Sequence, residues 1–218
     1  MGFFLVFEGI EGCGKTTQIK MLGDYCKKKG LPCVVTREPG GTPIGEEIRK
    51  IFLHSDNVEI THLTELLLIT ASRVQHLQQV IQPALDNNSI VMCDRFFGAT
   101  QAYQGYAGDI SLELINKSHE LFLGNIKPDM TILMDCPVET GIRRSRARNV
   151  LEGKEKEEGR FEDKVIAFHE KVRRGYLELA AEDKERVKIV NSIKPIDEIH
   201  SEICLLFENR LKEMNYAV

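Results

Sequence analysis

The sequence has no excess of basic residues and no long apolar run. Its 29 Lys and Arg residues stand against 33 Asp and Glu residues, a formal net charge of −4. Proteins held to nucleic acid mainly by phosphate contacts are usually basic, so we expect no nucleic acid partner. The first apolar run, Phe3 to Phe7, has no basic segment before it and stops at Glu8, so we expect no signal peptide. Nothing approaches the roughly 18 apolar residues of a membrane helix. We therefore expect a cytoplasmic protein without a membrane partner.

The sequence also lacks the paired spacings of metal and redox sites. None of its six cysteines forms a C-x-x-C pair, and none of its six histidines belongs to an H-E-x-x-H motif. We expect the cysteines to be reduced and buried. All of them except Cys13 lie in apolar segments that are typical of strands or helices. We expect the histidines to be ordinary surface or helix-capping residues rather than metal ligands.

The chain has the length and the apolar content of a single α/β domain, which we place at residues 1–218. It contains 218 residues, of which 42% are hydrophobic, enough for a full core. Short apolar runs alternate with segments whose apolar residues recur every three or four positions. This alternation predicts a five-stranded parallel sheet with helices on both faces. The predicted strands are Phe3–Phe7, Cys33–Thr36, Ile90–Cys93, Met130–Met134 and Val187–Val190. The predicted helices are 15–29, 44–53, 60–82, 111–122, 138–150, 163–181 and a last one opened by Pro195.

A phosphate-binding loop follows the first predicted strand. Residues 9–16, GIEGCGKT, fit the pattern G-x-x-x-x-G-K-[ST] and lead into the first predicted helix. Glycines let backbone N–H groups turn inward around phosphate oxygens, and the helix N-terminus adds a positive partial charge. Lys15 would neutralise the β and γ oxygens of ATP, and the Thr16 hydroxyl would bind Mg²⁺. The expected ATP contacts are Gly9, Ile10, Glu11, Gly12, Cys13, Gly14, Lys15, Thr16 and Thr17.

Other residues narrow the class of P-loop protein. The nearest string to the guanine-reading N-K-x-D is Asn116-Lys117-Ser118-His119, which lacks the aspartate, so a GTPase switch is disfavoured. Asp94 and Arg95 follow the third strand, at the edge of the sheet where α/β folds bind ligands. Arg37 follows the second strand in the same way, although the turn after it has a structural explanation of its own. Arg73 lies in an apolar helix, as either a snorkelling surface residue or a bidentate ligand contact.

A charged segment, residues 143–160, stands out by composition. It holds seven basic and four acidic residues and little to bury after Leu151. It is either a solvated loop or a mobile cationic flap over the phosphates.

Together these blocks closely resemble the bacterial thymidylate kinase family, from the first strand through GYLELA at 175–180. The matching blocks are FEGIEGCGKTTQ (7–18), TREPGGTPIGEEIR (36–49), ASRVQ (71–75), DRFFGATQAYQG (94–105), PD (128–129) and the arginine-rich 143–148. The resemblance implies transfer of the ATP γ-phosphoryl group to dTMP, with Mg²⁺. It also implies a P-loop NTPase fold of the NMP-kinase type, a homodimer formed through helices, and a lid at about 143–162.

The resemblance further implies an acceptor site. Arg95 would hold the dTMP phosphate, and Asp94 would orient Arg95 or reach Mg²⁺ through water. Glu11 would meet the deoxyribose 3′-hydroxyl, and Tyr103 would fill the space of a ribose 2′-hydroxyl. Arg73 would bind the thymine carbonyl. The rest of the acceptor pocket would be lined by Arg49, Thr100 and Gln104.

Two features of the chain distinguish it within the family. In the family the catalytic cation comes either from the P-loop or from the lid, and this P-loop carries no extra cation. The resemblance therefore implies a catalytic arginine in the lid. Arg148 matches that position best, with Arg144 and Arg146 as neighbours, and Arg160 is the alternative because the lid ends in GRFE. Ile69 stands where the family often has a thymine-stacking Phe, which predicts an acceptor affinity weaker by about 1 kcal/mol.

Two other functions compete with this interpretation. The nearest is another nucleotide or deoxynucleoside kinase with the same phosphate loop. The other is an ATP-dependent switch or scaffold that binds nucleotide without transferring it. The second leaves Arg49, Arg73, Arg95 and Tyr103 without a role, and an acceptor-dependent release of ADP separates it from the kinases.

Overall fold

The computed structural model describes residues 2–53, 60–124, 126–152 and 166–216. Within them, five parallel strands form one sheet in the order β2-β3-β1-β4-β5. The strands are β1 (Phe3–Glu8), β2 (Cys33–Arg37), β3 (Ile90–Asp94), β4 (Met130–Asp135) and β5 (Val187–Asn191). All five predicted strands are confirmed. Each is one residue longer than predicted, and in every case the added residue is polar and stands at the carboxyl end.

Helices cover both faces of the sheet, as the alternation of strands and helices predicts. They are α1 (Lys15–Lys28), α2 (Pro43–Leu53), α3 (His62–His76), α4 (Gln82–Asp86), α5 (Phe97–Thr100), α6 (Leu112–Leu123), α7 (Val138–Glu152), α8 (Ile166–Glu182) and α9 (Ile196–Glu213). A π-helical turn, Leu77–Ile81, joins α3 to α4, and another, Gln101–Tyr106, extends α5. None of the helices in the described ranges is long and apolar enough to cross a membrane.

Strand β1 lies at the centre of the sheet and is buried on both faces. Phe3, Leu5 and Phe7 belong to the larger core, which they share with α1, α8 and α9. Phe4 and Val6 point to the opposite side and pack in a smaller core with Ile81 and Phe96. Burial of one such side chain contributes about 1.5–3 kcal/mol. The burial of β1 therefore fixes the position of the loop that follows its carboxyl end.

The carboxyl ends of the strands place polar side chains along one edge of the sheet. Glu8 ends β1, Arg37 ends β2, and Asp94 ends β3. Asp135 and Asn191 end β4 and β5 and stand opposite each other in the register. This is the edge at which open parallel sheets bind their ligands.

Candidate active site

The loop between β1 and α1 has the shape of a phosphate cradle. Gly9, Gly12 and Gly14 have φ angles of 135°, 69° and 94°, in the region that favours glycine. A Cβ atom on Gly9 would lie 2.5 Å from the carbonyl oxygen of Met134. Gly14 precedes the first turn of α1, so the amides of that turn face the loop.

The two reactive side chains of the loop are held in place by neighbouring groups. The Lys15 ammonium lies 2.9 Å from the carbonyl oxygens of both Gly9 and Ile10. The Thr16 hydroxyl donates to an Asp94 carboxylate oxygen at 2.9 Å. A hydroxyl beside a carboxylate is a set of oxygen donors that suits Mg²⁺. Cys13 packs in the core, in accord with a packing role.

A cationic and a phenolic side chain converge on the carboxylate of Glu11. Arg95 donates to it at 3.0 Å, and the Tyr103 hydroxyl lies 2.7 Å from both of its oxygens. The Arg95 guanidinium also lies over the Tyr103 ring, 4.9 Å from its centroid. Arg95 follows β3 with a φ of 70°, an uncommon backbone conformation for a residue with a side chain. The backbone therefore turns sharply where this arginine enters the site.

These contacts keep Glu11 ionised. Burial alone would raise the pKa of its carboxyl, but the charge of Arg95, the hydrogen bond from Tyr103 and the charges of Lys15 and His169 lower the pKa to about 2. Glu11 therefore offers a charged hydrogen-bond acceptor at neutral pH within the phosphate loop.

A second buried network surrounds Arg73. Its Nε donates to Glu38 at 2.6 Å, and NH2 donates at 2.9 Å to both the Phe96 carbonyl and the Thr100 hydroxyl. The Arg73 side chain is only 3% exposed, so the interpretation as a snorkelling surface residue is wrong. The alternative, a bidentate contact to a ligand, remains a prediction. The turn that supplies Glu38 has a cis peptide before Pro39.

The remaining predicted acceptor residues lie nearby. The Gln104 amide donates to Glu65 at 2.9 Å, and its Oε1 is buried without a partner among the described residues. Arg49 reaches the Pro39 carbonyl at 3.4 Å. Ile69, on α3, lines the same cleft.

Helix α7 carries the arginine-rich segment and packs against the phosphate loop. A Cβ on Gly12 would lie 1.9 Å from the Gly141 carbonyl oxygen, and a Cβ on Gly141 would lie 2.5 Å from the Glu11 carbonyl oxygen. Two glycines thus allow α7 and the loop to touch through their backbones. The predicted helix 138–150 is confirmed, since α7 runs from Val138 to Glu152. The interpretation of 143–160 as a loop or flap is wrong for residues 143–152, which are helical. Arg160 and residues 153–165 lie outside the described residues.

Arg144 and Arg148 both line the cleft. Arg144 donates to the Ser192 carbonyl at 2.9 Å, and Arg148 donates to the Ser145 hydroxyl at 3.1 Å. Arg146 lies on the same helix, within the same charged stretch.

One continuous cleft of about 1160 Å³ connects these parts. A pocket for one drug-sized ligand is usually about 300–1,000 Å³, so this cleft is larger than a typical pocket for one ligand. The structure brings most of the predicted site residues together there, while Gly9 and Ile10 contribute through the backbone and packing of the loop. The predicted residues that line it are Glu11, Gly12, Cys13, Gly14, Lys15, Thr16, Thr17, Arg49, Ile69, Arg73, Asp94, Arg95, Thr100, Tyr103, Gln104 and Arg148.

Sequence reasoning missed several buried polar residues of the site. Glu8 accepts hydrogen bonds from the amides of Phe96 and Ala99, at 3.0 and 3.1 Å, and so caps α5. Burial raises the pKa of Glu8. His76 and His169 are almost fully buried, which corrects the expectation of surface or capping histidines. A polar residue directly after an apolar strand was the available signal for Glu8.

Comparisons with known proteins agree with this geometry. A family model described as thymidylate kinase matches residues 7–203. The chain is 49% identical over 211 residues to the thymidylate kinase of Syntrophotalea carbinolica, with 97% of each protein covered. It is 50% identical over 199 residues to that of Geotalea daltonii, covering 91% of this chain and 92% of the relative. The crystal structure of the Ehrlichia chaffeensis thymidylate kinase matches with a TM-score of 0.74 and 30% identity, over 95% of this chain and 98% of that one.

Proposed function

The chain belongs to the thymidylate kinase family, and on that premise we propose that it transfers the γ-phosphoryl group of ATP to dTMP, giving dTDP and ADP. The observation that carries this function is the single cleft with a phosphate loop at one end and buried arginine and amide side chains at the other. Catalysis of phosphoryl transfer is mainly positioning and charge neutralisation, which this arrangement supplies.

The donor end binds ATP through the loop 9–17. Lys15 exchanges its contacts with the Gly9 and Ile10 carbonyls for the β and γ phosphate oxygens. Thr16, with Asp94 beside it, would hold Mg²⁺, and the charge of the ion would neutralise the phosphate oxygens. The donor set of these two residues, a hydroxyl and a carboxylate in contact, supports this assignment.

The acceptor end binds the phosphate and the sugar of dTMP. Arg95 holds the acceptor phosphate while remaining paired with Glu11, so its position is fixed before the substrate arrives. Glu11, held ionised, accepts a hydrogen bond from the 3′-hydroxyl. Tyr103 occupies the space beside the sugar C2′, where a ribose hydroxyl would stand.

The base lies between α3 and the π-helical turn 101–106. Arg73 donates to a thymine carbonyl, and Thr100 and Gln104 line the pocket. Arg49 lines the acceptor side. Ile69 packs on the face of the base with an aliphatic rather than an aromatic surface.

The transition state receives its additional positive charge from Arg148, on α7. This arginine lines the cleft, and the backbone contact between Gly12 and Gly141 ties its helix to the phosphate loop. Arg160 is the competing candidate. We treat residues 1–218 as one domain with a lid at about 143–162.

Two copies of the chain associate through α3 and α6, which pack against each other. Large apolar side chains of both helices are exposed on the surface: Leu63, Leu67, Leu114, Leu121 and Phe122. Leu121 is 75% exposed and Leu67 is 59% exposed, and a second copy would bury them. The family resemblance implies a homodimer formed through helices, and we place this homodimer in the cytoplasm.

The experiment is a coupled assay of ADP release with five acceptor conditions: dTMP, dUMP, CMP, thymidine and no acceptor. We expect turnover that requires a nucleoside monophosphate and is fastest with dTMP. Hydrolysis of ATP at the same rate without acceptor would instead favour the switch or scaffold, and preference for CMP would favour another nucleotide kinase.

A further inference from the structure

Arg73 belongs to a chain of hydrogen bonds that begins at the half-buried Thr36 and continues through buried residues. The Thr36 hydroxyl lies 2.6 Å from Nε2 of His76, and Nδ1 of His76 lies 2.9 Å from Glu38 Oε1. The other oxygen of Glu38 accepts from Arg73 Nε at 2.6 Å. His76 is 0% exposed, and the Glu38 and Arg73 side chains are each 3% exposed. The four residues come from β2, the turn after it, and α3.

The donors and acceptors fix the direction of this chain. Nδ1 of His76 faces a carboxylate oxygen, so it carries a proton and donates. Nε2 then accepts from Thr36 if the ring is neutral.

The His76 ring is also held by the backbone. A Cβ atom on Gly41 would lie 2.6 Å from Nε2, so the turn after β2 packs directly against the ring. One oxygen of Glu38 is bound by His76 and the other by Arg73, so the carboxylate has one orientation. Among the described residues, Arg73 uses Nε and NH2 in hydrogen bonds, and NH1 is the nitrogen left to donate to a ligand.

Two members of this chain, Glu38 and His76, lie close to Cys93, but the three residues do not have the chemistry of a metal centre. Single ligand atoms of Glu38, His76 and Cys93 lie within 4.8 Å of one another. Glu38 is already paired with Arg73 and His76, however, and a cation would face the guanidinium. Burial raises the pKa of the Cys93 thiol well above its ordinary value, so this group stays protonated and is a poor metal ligand.

We propose that Thr36 and His76 are positioning residues for base selection, which fix Arg73 through Glu38 so that NH1 presents a donor to the C4 carbonyl of the acceptor base. This inference rests on the proposed function. Thymine and uracil carry an acceptor at C4, whereas cytosine carries an amino donor there. A donor that cannot rotate away would face the cytosine amino group and leave both groups unpaired. The relay thus makes Arg73 a discriminator against cytosine as well as a binding contact.

The test compares the wild type with Thr36→Val, His76→Asn and His76→Leu. Kinetics with dTMP and ATP are combined with competition by dCMP and dUMP. His76→Leu removes both hydrogen bonds of the ring, and we expect the KM for dTMP to rise about tenfold or more, with little change in the KM for ATP. The preference for dTMP over dCMP should fall by a similar factor, whereas the ratio of dTMP to dUMP should not change, because dUMP keeps the C4 carbonyl.

Two variants separate positioning from general structural damage. His76→Asn keeps an N–H group near the position of Nδ1, so it should recover most of the selectivity. Thr36→Val keeps the shape of the side chain but removes its hydroxyl, and should give an intermediate loss. Ser72→Ala is the matched control: its buried hydroxyl lies beside Arg73 on the same helix and has no partner among the described residues. Its kinetics should match the wild type.

The outcomes are distinct for the two proposals. If the wild type does not turn over dTMP, the proposed function fails, and this inference fails with it. If the wild type is active but Thr36→Val and the His76 variants alter the dTMP and ATP parameters equally, or keep full discrimination against dCMP, only the relay is refuted. If His76→Leu does not fold, the same criteria apply to Thr36→Val and His76→Asn.

Discussion

Replacement of Glu11 by glutamine should change the pH dependence of stability. The pKa of the Glu11 carboxyl falls from an ordinary 4.5 to about 2 in the folded protein. That difference corresponds to about 3 kcal/mol of stability, because one pH unit is worth about 1.4 kcal/mol. The folded-state pKa is the lower one, so this contribution is complete above the unfolded-state pKa and is lost as the pH falls through about 2.

The assay is urea denaturation of the wild type and Glu11→Gln at several pH values. Linkage predicts that about 2 kcal/mol of the carboxylate's contribution is lost between pH 7 and pH 3. The difference in unfolding free energy between the two proteins should therefore shrink by about that amount. Groups remote from Glu11 that titrate in both proteins cancel in this difference. Glu113→Gln is the control, since its pair with Lys117 is exposed on α6 and should show little change. A difference for Glu11→Gln that stays constant or widens as the pH falls would refute the account of this site.

Three further changes test the catalytic assignments. Lys15→Ala should abolish transfer, since the γ-phosphate loses its neutralising charge, and a near-normal kcat would exclude that role. Arg148→Ala should lower kcat by about 10³-fold with a smaller effect on the KM for dTMP, whereas an equal loss in Arg160→Ala alone would move the role to that residue. Gly141→Ala should raise the KM for ATP and lower kcat, because its Cβ would meet the Glu11 carbonyl oxygen and displace the phosphate loop. Unchanged steady-state kinetics would show that α7 and the phosphate loop do not need this close approach.

The strands and the phosphate loop could be predicted because their residues follow simple patterns. Buried parallel strands are continuous apolar runs, and β1 is one from Phe3 to Phe7. The loop requires glycine where φ is positive, as at Gly12 and Gly14. The apolar pattern ends each strand one residue early, because the last residue of each strand is polar and does not continue the apolar run.

The helix over 97–106 could not be predicted from apolar periodicity. Its buried residues include Thr100, Tyr103 and Gln104, of which two are polar, so no apolar stripe marks it. The start of this helix is also unusual, because its capping group is the buried carboxylate of Glu8, at the end of strand β1. The positions of these residues were predicted only through the resemblance to a family, not from the spacing.

The histidine at 76 shows the same limit. Nothing in the local sequence of α3 distinguishes a buried relay residue from a surface histidine. Its partners, Thr36 and Glu38, lie about 40 positions away in the chain, with Thr36 at a separation of 40. Only the packing of α3 against the turn after β2 brings them together.

The central claim is that two nucleotides meet end to end in one cleft, and transfer of a labelled phosphoryl group tests it most directly. ATP labelled at the γ position, incubated with the protein, Mg²⁺ and dTMP, should yield labelled dTDP and no comparable release of free phosphate. Label that appears only as free phosphate, at a rate independent of dTMP, would contradict the claim.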